Sequence, residues 1–311
     1  MTVGLDPVRT VSSRRTVDAV RARPPDRSGY AVRDGVRLYW EQSGRSGPAI
    51  FLLPPWSIVH SRCWKLQVPH LARHFRVITA DPRGNGRSDR PAGPEHYADR
   101  VLMDDAVAVL DAAGIDAAVL VGLSMGARIA LQLADARPDR VRGLALLGPS
   151  VRTTAPPPAC WVQPFEQVPD SDEGWNRFTA DYWRRDLPGF ARFFFGEVFP
   201  EPHSSKQIDD AGEWAAQTDA ETMIATQRAP FLGDGLRPEE VSALELADRL
   251  RCPSLVIHGD DDRIVPIATG RQLAVALGGR LEVISGGGHC VQARHPVRVN
   301  LLLQHFAESV G

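Results

Sequence analysis

Six short apolar segments recur along this chain, and longer segments with helical periodicity lie between them. The apolar segments are residues 49–53, 75–80, 117–121, 141–147, 254–257 and 281–284. Each is too short for a stable helix and is apolar throughout, which is typical of a strand buried on both faces. Strands of this kind that alternate with helices form an α/β fold. The sequence therefore predicts a mostly parallel central sheet with helices on both faces.

Three of the intervening segments carry signals for the ends of helices. Residues 98–113 have an apolar face and are followed by Gly114, which favours a helix end. Residues 125–136 are followed closely by Pro138, and residues 296–310 begin with a proline, which suits the first turn of a helix. We therefore expect helices over these three ranges.

Composition divides the chain into three regions. Residues 1–28 are rich in Arg, Pro and Ser and have no apolar pattern, which predicts a flexible N-terminal extension. Residues 29–150 and 236–311 contain the six apolar segments and are predicted to form the α/β core. Residues 151–235 hold 13 of the 22 aromatic residues and no strand-like segment, which predicts a helical insertion.

Charge and cysteine content exclude several classes of protein. With 36 basic and 38 acidic side chains, the chain has no excess of positive charge to bind nucleic acid. No apolar run approaches the roughly 20 residues that cross a bilayer, and the N-terminus lacks the apolar stretch of a secretory signal. Four widely spaced cysteines predict free thiols and a cytoplasmic protein: Cys63, Cys160, Cys252 and Cys290.

The sharpest motif is Gly122-Leu123-Ser124-Met125-Gly126, which lies between a predicted strand and a predicted helix. A G-x-S-x-G turn in this context raises the serine hydroxyl above the carboxyl edge of the sheet. The two glycines make room for the tight backbone. We therefore predict that Ser124 is a nucleophile.

A serine hydroxyl needs a base to remove its proton, and His289 is the best-placed candidate. It follows the predicted strand 281–284 and the glycines at 286–288, which would let the loop turn toward Ser124. The rival histidines lie in a predicted buried strand or near the last helix: His258, His295 and His305.

An acid that orients this histidine is expected at the end of the predicted strand 254–257, where three aspartates follow in a row. Asp262 is our choice, and Asp260 and Asp261 are expected to cap the loop or face solvent. A calcium loop is excluded because Ile264 stands where an oxygen ligand would be needed. Ser124, Asp262 and His289 thus form a predicted catalytic triad.

With these three elements in this order, the chain resembles an α/β-hydrolase-fold serine hydrolase over roughly residues 30–311. In that family, the loop after the third strand carries a His-Gly pair and then a residue whose N–H helps to bind the oxyanion. By position, Trp56 would supply this N–H here, beside that of Met125. The chain departs from the family pattern because Pro54 and Pro55 replace the His-Gly pair, and their φ angles are fixed.

The aromatic-rich insertion resembles the helical lid that many enzymes of this family carry over the active site. So many aromatic rings at a sheet edge indicate a largely apolar pocket and an apolar small-molecule substrate. We place four residues in this predicted pocket: His60, Trp161, Trp183 and Phe194.

The resemblance implies a serine esterase or lactonase that works through an acyl-enzyme and needs neither a metal ion nor an organic cofactor. The same triad could serve thioester, acyl-transfer, carbon–carbon hydrolysis or lyase and cyclase chemistry, because one scaffold hosts many reactions. A small-molecule-binding protein without turnover is a further alternative, favoured only by Pro54 and Pro55. The sequence predicts no nucleic-acid or membrane partner and leaves a homodimer open.

Overall fold

A computed structural model describes residues 23–157, 159–162, 164–202, 205–232 and 242–311 of the protein. Its strands form one sheet of eight, in the order β1-β2-β4-β3-β5-β6-β7-β8. Strand β2 runs antiparallel to both of its neighbours, and the other pairs are parallel. The strands are β1 (Arg27–Arg33), β2 (Val36–Ser43), β3 (Ala49–Leu53), β4 (Arg76–Ala80), β5 (Ala118–Leu123), β6 (Val141–Leu147), β7 (Ser254–Gly259) and β8 (Arg280–Ile284).

The helices lie on both faces of this sheet and in the segment between β6 and β7. They are α1 (Val68–Leu71), α2 (Asp99–Ala113), α3 (Met125–Ala136), α4 (Ala180–Val198), α5 (Lys206–Ala215), α6 (Ala220–Arg228), α7 (Ala243–Arg249), α8 (Ile267–Ala276), α9 (Val291–Arg294) and α10 (Pro296–Val310). Buried residues of α2, α3, α7 and α8 form the core on one face of the sheet. Those of α1, α9 and α10 form the core on the other.

Strand β3 explains why its sequence is apolar throughout. Phe51 and Leu53 pack into the core on one face, whereas Ile50 and Leu52 pack into the core on the other. Successive side chains of a strand point to opposite faces, so a strand covered on both sides must be apolar at every position. All five residues of β3 are buried.

The six predicted strands are present with ends shifted by no more than about two residues, and the three predicted helices are present as α2, α3 and α10. The sequence did not predict β1 or β2. Strand β1 is an edge strand with exposed side chains, such as that of Val32, and therefore lacks a continuous apolar run.

Two predicted regions lie partly outside the described residues. Of the predicted extension, residues 1–22 are outside them, and Arg27 and Ser28 belong to β1. The predicted boundary between insertion and core at 235/236 is also outside them. The described part of residues 151–235 contains α4, α5 and α6 and no strand. Among the described helices, none has the length and apolar character to cross a membrane.

Candidate active site

Ser124 occupies a strained turn between β5 and α3. Its backbone has φ 56° and ψ −115°, a left-handed value that a residue with a side chain adopts only at a cost. The turn is held from the neighbouring strand, because the Ser124 N–H donates to the carbonyl of Leu147 at 2.9 Å. The serine therefore stands at the carboxyl edge of the sheet with its geometry fixed by the backbone.

Both glycines of the motif are required by close backbone contacts. A Cβ atom on Gly122 would lie 2.4 Å from the carbonyl oxygen of Gly126. A Cβ atom on Gly126 would lie 2.4 Å from the carbonyl oxygen of Pro54 and 2.8 Å from that of Leu53. Any side chain would force these segments apart, so Gly126 lets the loop after β3 lie directly against the serine turn.

His289 and Asp262 are brought together from two loops at the same sheet edge. The Nδ1 atom of His289 lies 2.8 Å from Oδ2 of Asp262. Gly148, at the end of β6, lies beside the pair, where a Cβ atom would be 3.1 Å from that Nδ1. The Asp262 carboxylate only accepts hydrogen bonds, so Nδ1 of His289 carries the hydrogen and Nε2 of the neutral ring keeps its lone pair.

The environment of Asp262 keeps it ionised. Burial alone would raise the pKa of this carboxyl, but its electrostatic interaction with His289 and hydrogen bonds from His258 and His289 hold it below its usual range. Its Oδ1 also accepts hydrogen bonds from the backbone N–H groups of Ile264 at 2.9 Å and Val265 at 2.8 Å. Asp262 is therefore fixed in position and available as an acceptor for His289.

The loop that carries His289 is docked against the end of α4. The His289 N–H donates to the carbonyl of Val198 at 3.1 Å, and the Gly288 N–H donates to Oε1 of buried Glu201 at 2.7 Å. A Cβ atom on Gly288 would lie 2.4 Å from Cδ of Pro200. The insertion thus positions the histidine directly. No local sequence signal predicted that Glu201 would take part in this contact.

The two N–H groups predicted for the oxyanion are both without an acceptor among the described residues. These are the backbone groups of Met125, at the first turn of α3, and of Trp56. The Trp56 indole Nε1–H donates to Oγ1 of Thr226 at 2.7 Å, and its ring lies 5.4 Å from that of Trp183 and 5.8 Å from that of Phe194. The aromatic insertion therefore fixes the loop that begins with two prolines.

Two chambers open on either side of Ser124. The Arg152 chamber is lined by residues that include Met125, Arg128 and Arg152. The His289 chamber contains His289 in its lining and is mainly apolar near the serine. Trp56, Ser124 and Phe194 line both chambers and stand between them.

The four predicted pocket residues divide into two pairs. Phe194 lines both chambers, and Trp161 lines the Arg152 chamber. His60 and Trp183 line neither, which differs from the prediction. His60 is buried with Nδ1 3.5 Å from Oδ1 of Asp81, and Trp183 is fully buried in the aromatic core of the insertion. Aromatic content alone does not distinguish rings that face a cavity from rings that form a core.

The cysteines near Ser124 are poor rivals as nucleophiles. All four cysteines are free, and Cys160 and Cys290 lie in the linings of the two chambers. Burial raises the pKa of both thiols to about 12. Because the thiolate is the reactive form, this raised pKa disfavours both cysteines as nucleophiles near neutral pH. In the described part of the chain, no three His, Cys, Asp or Glu side chains are grouped as metal ligands.

A family model described as alpha/beta hydrolase fold matches residues 48–296. The chain belongs to this family. The match includes both the serine turn and the loop that carries His289. It identifies the protein as an enzyme of the α/β-hydrolase superfamily, in agreement with the fold predicted from sequence.

Individual relatives cover most of the chain. The 2-hydroxymuconate semialdehyde hydrolase of Pseudomonas sp. (strain CF600) is 33% identical over 290 residues, which cover 91% of this α/β hydrolase and 94% of that protein. A non-heme haloperoxidase of Rhodococcus erythropolis is 30% identical, with 89% and 97% covered. The solved structure of Est816, described as an N-acyl homoserine lactone degrading enzyme, has a TM-score of 0.71 and 28% identity, with 89% and 100% covered.

Proposed function

We propose that this α/β hydrolase cleaves an ester or lactone bond of a small, largely apolar molecule with Ser124, His289 and Asp262 as its catalytic triad. The contact that carries the proposal is the 2.8 Å hydrogen bond between His289 Nδ1 and Asp262 Oδ2. It leaves Nε2 of His289 as the basic nitrogen, in the chamber that Ser124 also lines.

In the proposed reaction, Ser124 Oγ attacks the ester carbonyl while His289 Nε2 takes its proton. The N–H groups of Met125 and Trp56 stabilise the negative charge on the carbonyl oxygen, an effect that can contribute about 3 kcal/mol for each donor. His289 then gives its proton to the leaving alcohol, and an acyl group remains on Ser124. Water activated by the same histidine releases the acid.

Two observations favour an ester or lactone of an apolar molecule. Near Ser124, the His289 chamber is lined by carbon-rich side chains, among them Ile58, Phe194 and Val198. A relative of known structure, Est816, is described as acting on an N-acyl homoserine lactone. A lactone with an apolar substituent would match both the triad chemistry and the chamber.

A second candidate reaction is hydrolysis of a carbon–carbon bond. It is favoured by the 33% identical relative named 2-hydroxymuconate semialdehyde hydrolase, whose substrate name contains no ester or lactone. The arrangement of Ser124 and His289 would serve that reaction equally well, since the same nucleophile and base can act on a ketone carbonyl. Substrate panels therefore have to include 1,3-diketones as well as aryl esters, lactones and thioesters.

Labelling with a fluorophosphonate tests the proposed nucleophile before any substrate is known. Intact mass of the wild-type protein should show one adduct, and Ser124→Ala should show none. Ser150→Ala is the matched control, because Ser150 also lines the Arg152 chamber and its N–H donates to the Ser124 carbonyl at 3.2 Å. Labelling that is absent from the folded wild type, or that persists in Ser124→Ala, contradicts the proposal.

A further inference from the structure

Arg152 has an unusual position in the chamber that lies away from His289. It is an exposed residue just after β6 and lines the same cavity as Ser124. Its guanidinium carbon lies 5.7 Å from the ring centre of Trp161 and 5.3 Å from that of Phe231. Both rings belong to the insertion and line the chamber themselves, so two aromatic rings lie within cation–π distance of the guanidinium.

Among the described residues, none balances the charge of Arg152. Within the part of the chain that the structure describes, no carboxylate lies within ion-pair distance of its guanidinium. The other arginine of the chamber differs, because Arg128 Nε lies 2.6 Å from Oδ2 of Asp99 and its NH2 group 3.0 Å from Oδ1. That pair is neutral overall, so the charged groups of the described lining leave one net positive charge, on Arg152.

The position of His289 assigns the two halves of a substrate to the two chambers. The histidine gives its proton to the leaving alcohol, so the alcohol half must lie in the His289 chamber. The acyl half, bonded to Ser124 in the intermediate, then extends to the other side of Trp56 and Phe194. It thereby enters the chamber that contains Arg152.

We propose that Arg152 binds a carboxylate on the acyl half of the substrate, so that the enzyme prefers the monoester of a dicarboxylic acid with an apolar alcohol. The inference rests on the proposed function of Ser124. Two aromatic rings lie within cation–π distance of the guanidinium, and none of the described residues presents a carboxylate to it, so its N–H groups can bind a carboxylate in a bidentate pair. The part of the His289 chamber beside Ser124, which is lined by carbon-rich side chains, takes the alcohol.

Two esters of equal chain length test this specificity. Mono-4-nitrophenyl adipate and 4-nitrophenyl hexanoate share a six-carbon acid half and differ in the terminal carboxylate. The wild type should have a higher kcat/KM for the adipate ester, and Arg152→Gln should lower the adipate-to-hexanoate ratio about tenfold or more, since hydrogen bonds to charged groups have that magnitude. Arg152→Lys should give an intermediate ratio, because lysine keeps the charge but loses the bidentate geometry.

Arg177→Gln is the matched control. Arg177 is also an arginine of the insertion stacked on a ring, 5.4 Å from the centre of Phe193, but it lines neither chamber. This variant should keep the wild-type ratio. A ratio that is unchanged in Arg152→Gln, or that falls equally in Arg177→Gln, overturns the proposal.

A binding measurement separates this proposal from that for Ser124. Calorimetry with Ser124→Ala and the two intact esters should show tighter binding of the adipate ester, and the added change Arg152→Gln should remove the difference. Equal affinities for the two esters overturn the role of Arg152 whatever the chemistry at Ser124. Absence of the fluorophosphonate adduct in the wild type contradicts the proposed triad instead. The binding measurement still decides whether Arg152 binds the carboxylate.

Discussion

The Nε2 atom of His258 lies 3.2 Å from Oδ2 of Asp262, the same oxygen that accepts the hydrogen bond from His289. It also lies 2.9 Å from the carbonyl oxygen of Val265. A carbonyl only accepts, so Nε2 of His258 carries a hydrogen that both oxygens share. The opposite nitrogen, Nδ1, has no hydrogen-bond partner among the described residues and lies against Gly270, where a Cβ atom would be 2.2 Å away. His258 therefore provides a second hydrogen bond to the Asp262 oxygen that accepts from His289.

We predict that His258→Leu weakens this support without touching the chambers. Loss of a donor to a buried carboxylate should lower the free energy of unfolding by about 1–3 kcal/mol and lower kcat more than it changes KM. His258→Gln, whose amide can still donate, should be affected less. Denaturant unfolding and kinetics on one aryl ester measure both effects. His305→Leu, on the exposed face of α10, should match the wild type.

Gly126 provides a test of the contact between the serine turn and the loop after β3. Gly126→Ala places a methyl group against the backbone oxygens of Pro54 and Leu53, so the loop has to move. We expect a loss of about 1–3 kcal/mol in the free energy of unfolding, together with a fall in kcat as Trp56 shifts. Gly212→Ala is the control: it lies in α5 with open space around it and should be neutral or stabilising by up to about 1 kcal/mol.

The parts of the fold and site that the sequence predicted are those with a local signal. Ser124, Asp262 and His289 each follow a short apolar strand, so the parallel topology places all three at one edge of the sheet. Strand β1 lacks such a signal because most of its residues are exposed or half-buried. Strand β2 went unpredicted as well, although nearly all of its residues are buried.

The rest of the site depends on contacts between residues far apart in sequence. Trp183 and Phe194 are both aromatic residues of the insertion, and the sequence does not distinguish them. Trp183 nevertheless lies in the core of the insertion, whereas Phe194 lies between the chambers. Arg152 contacts the rings of Trp161 and Phe231, which lie far from it or from each other in sequence. His258 contacts Asp262 because the chain turns after β7. Such relations follow from tertiary packing and are not encoded in local periodicity.

Asp99 connects the core to the end of the insertion, and its removal should be costly. Besides its two hydrogen bonds from Arg128, it accepts one from the Leu232 N–H at 2.8 Å. Asp99→Ala would leave a buried guanidinium without its partner, so we expect a loss of about 3–5 kcal/mol in the free energy of unfolding. Asp139→Ala removes the exposed pair with Arg137 and should leave the free energy of unfolding close to that of the wild type. Similar losses in the two variants would contradict this assignment.

The pH dependence of the free energy of unfolding should reflect the low pKa of Asp262. Its pKa in the folded protein is below the ordinary value near 3.8, so protons bind more tightly to the unfolded chain. The ionised carboxylate therefore stabilises the fold fully above that ordinary value, and the contribution is lost as the pH falls toward the lower, folded pKa. Asp262→Asn lacks this contribution at every pH.

The difference in unfolding free energy between wild type and Asp262→Asn is the quantity to measure. It should be largest near pH 6 and should narrow by more than about 1 kcal/mol toward about pH 3, since a tenfold change in proton affinity corresponds to about 1.4 kcal/mol. Asp261→Asn removes an exposed carboxylate from the same loop and should show a much weaker dependence. A difference that stays constant, or grows as the pH falls, would mean that the ionised form of Asp262 is not the one that His258 and His289 stabilise.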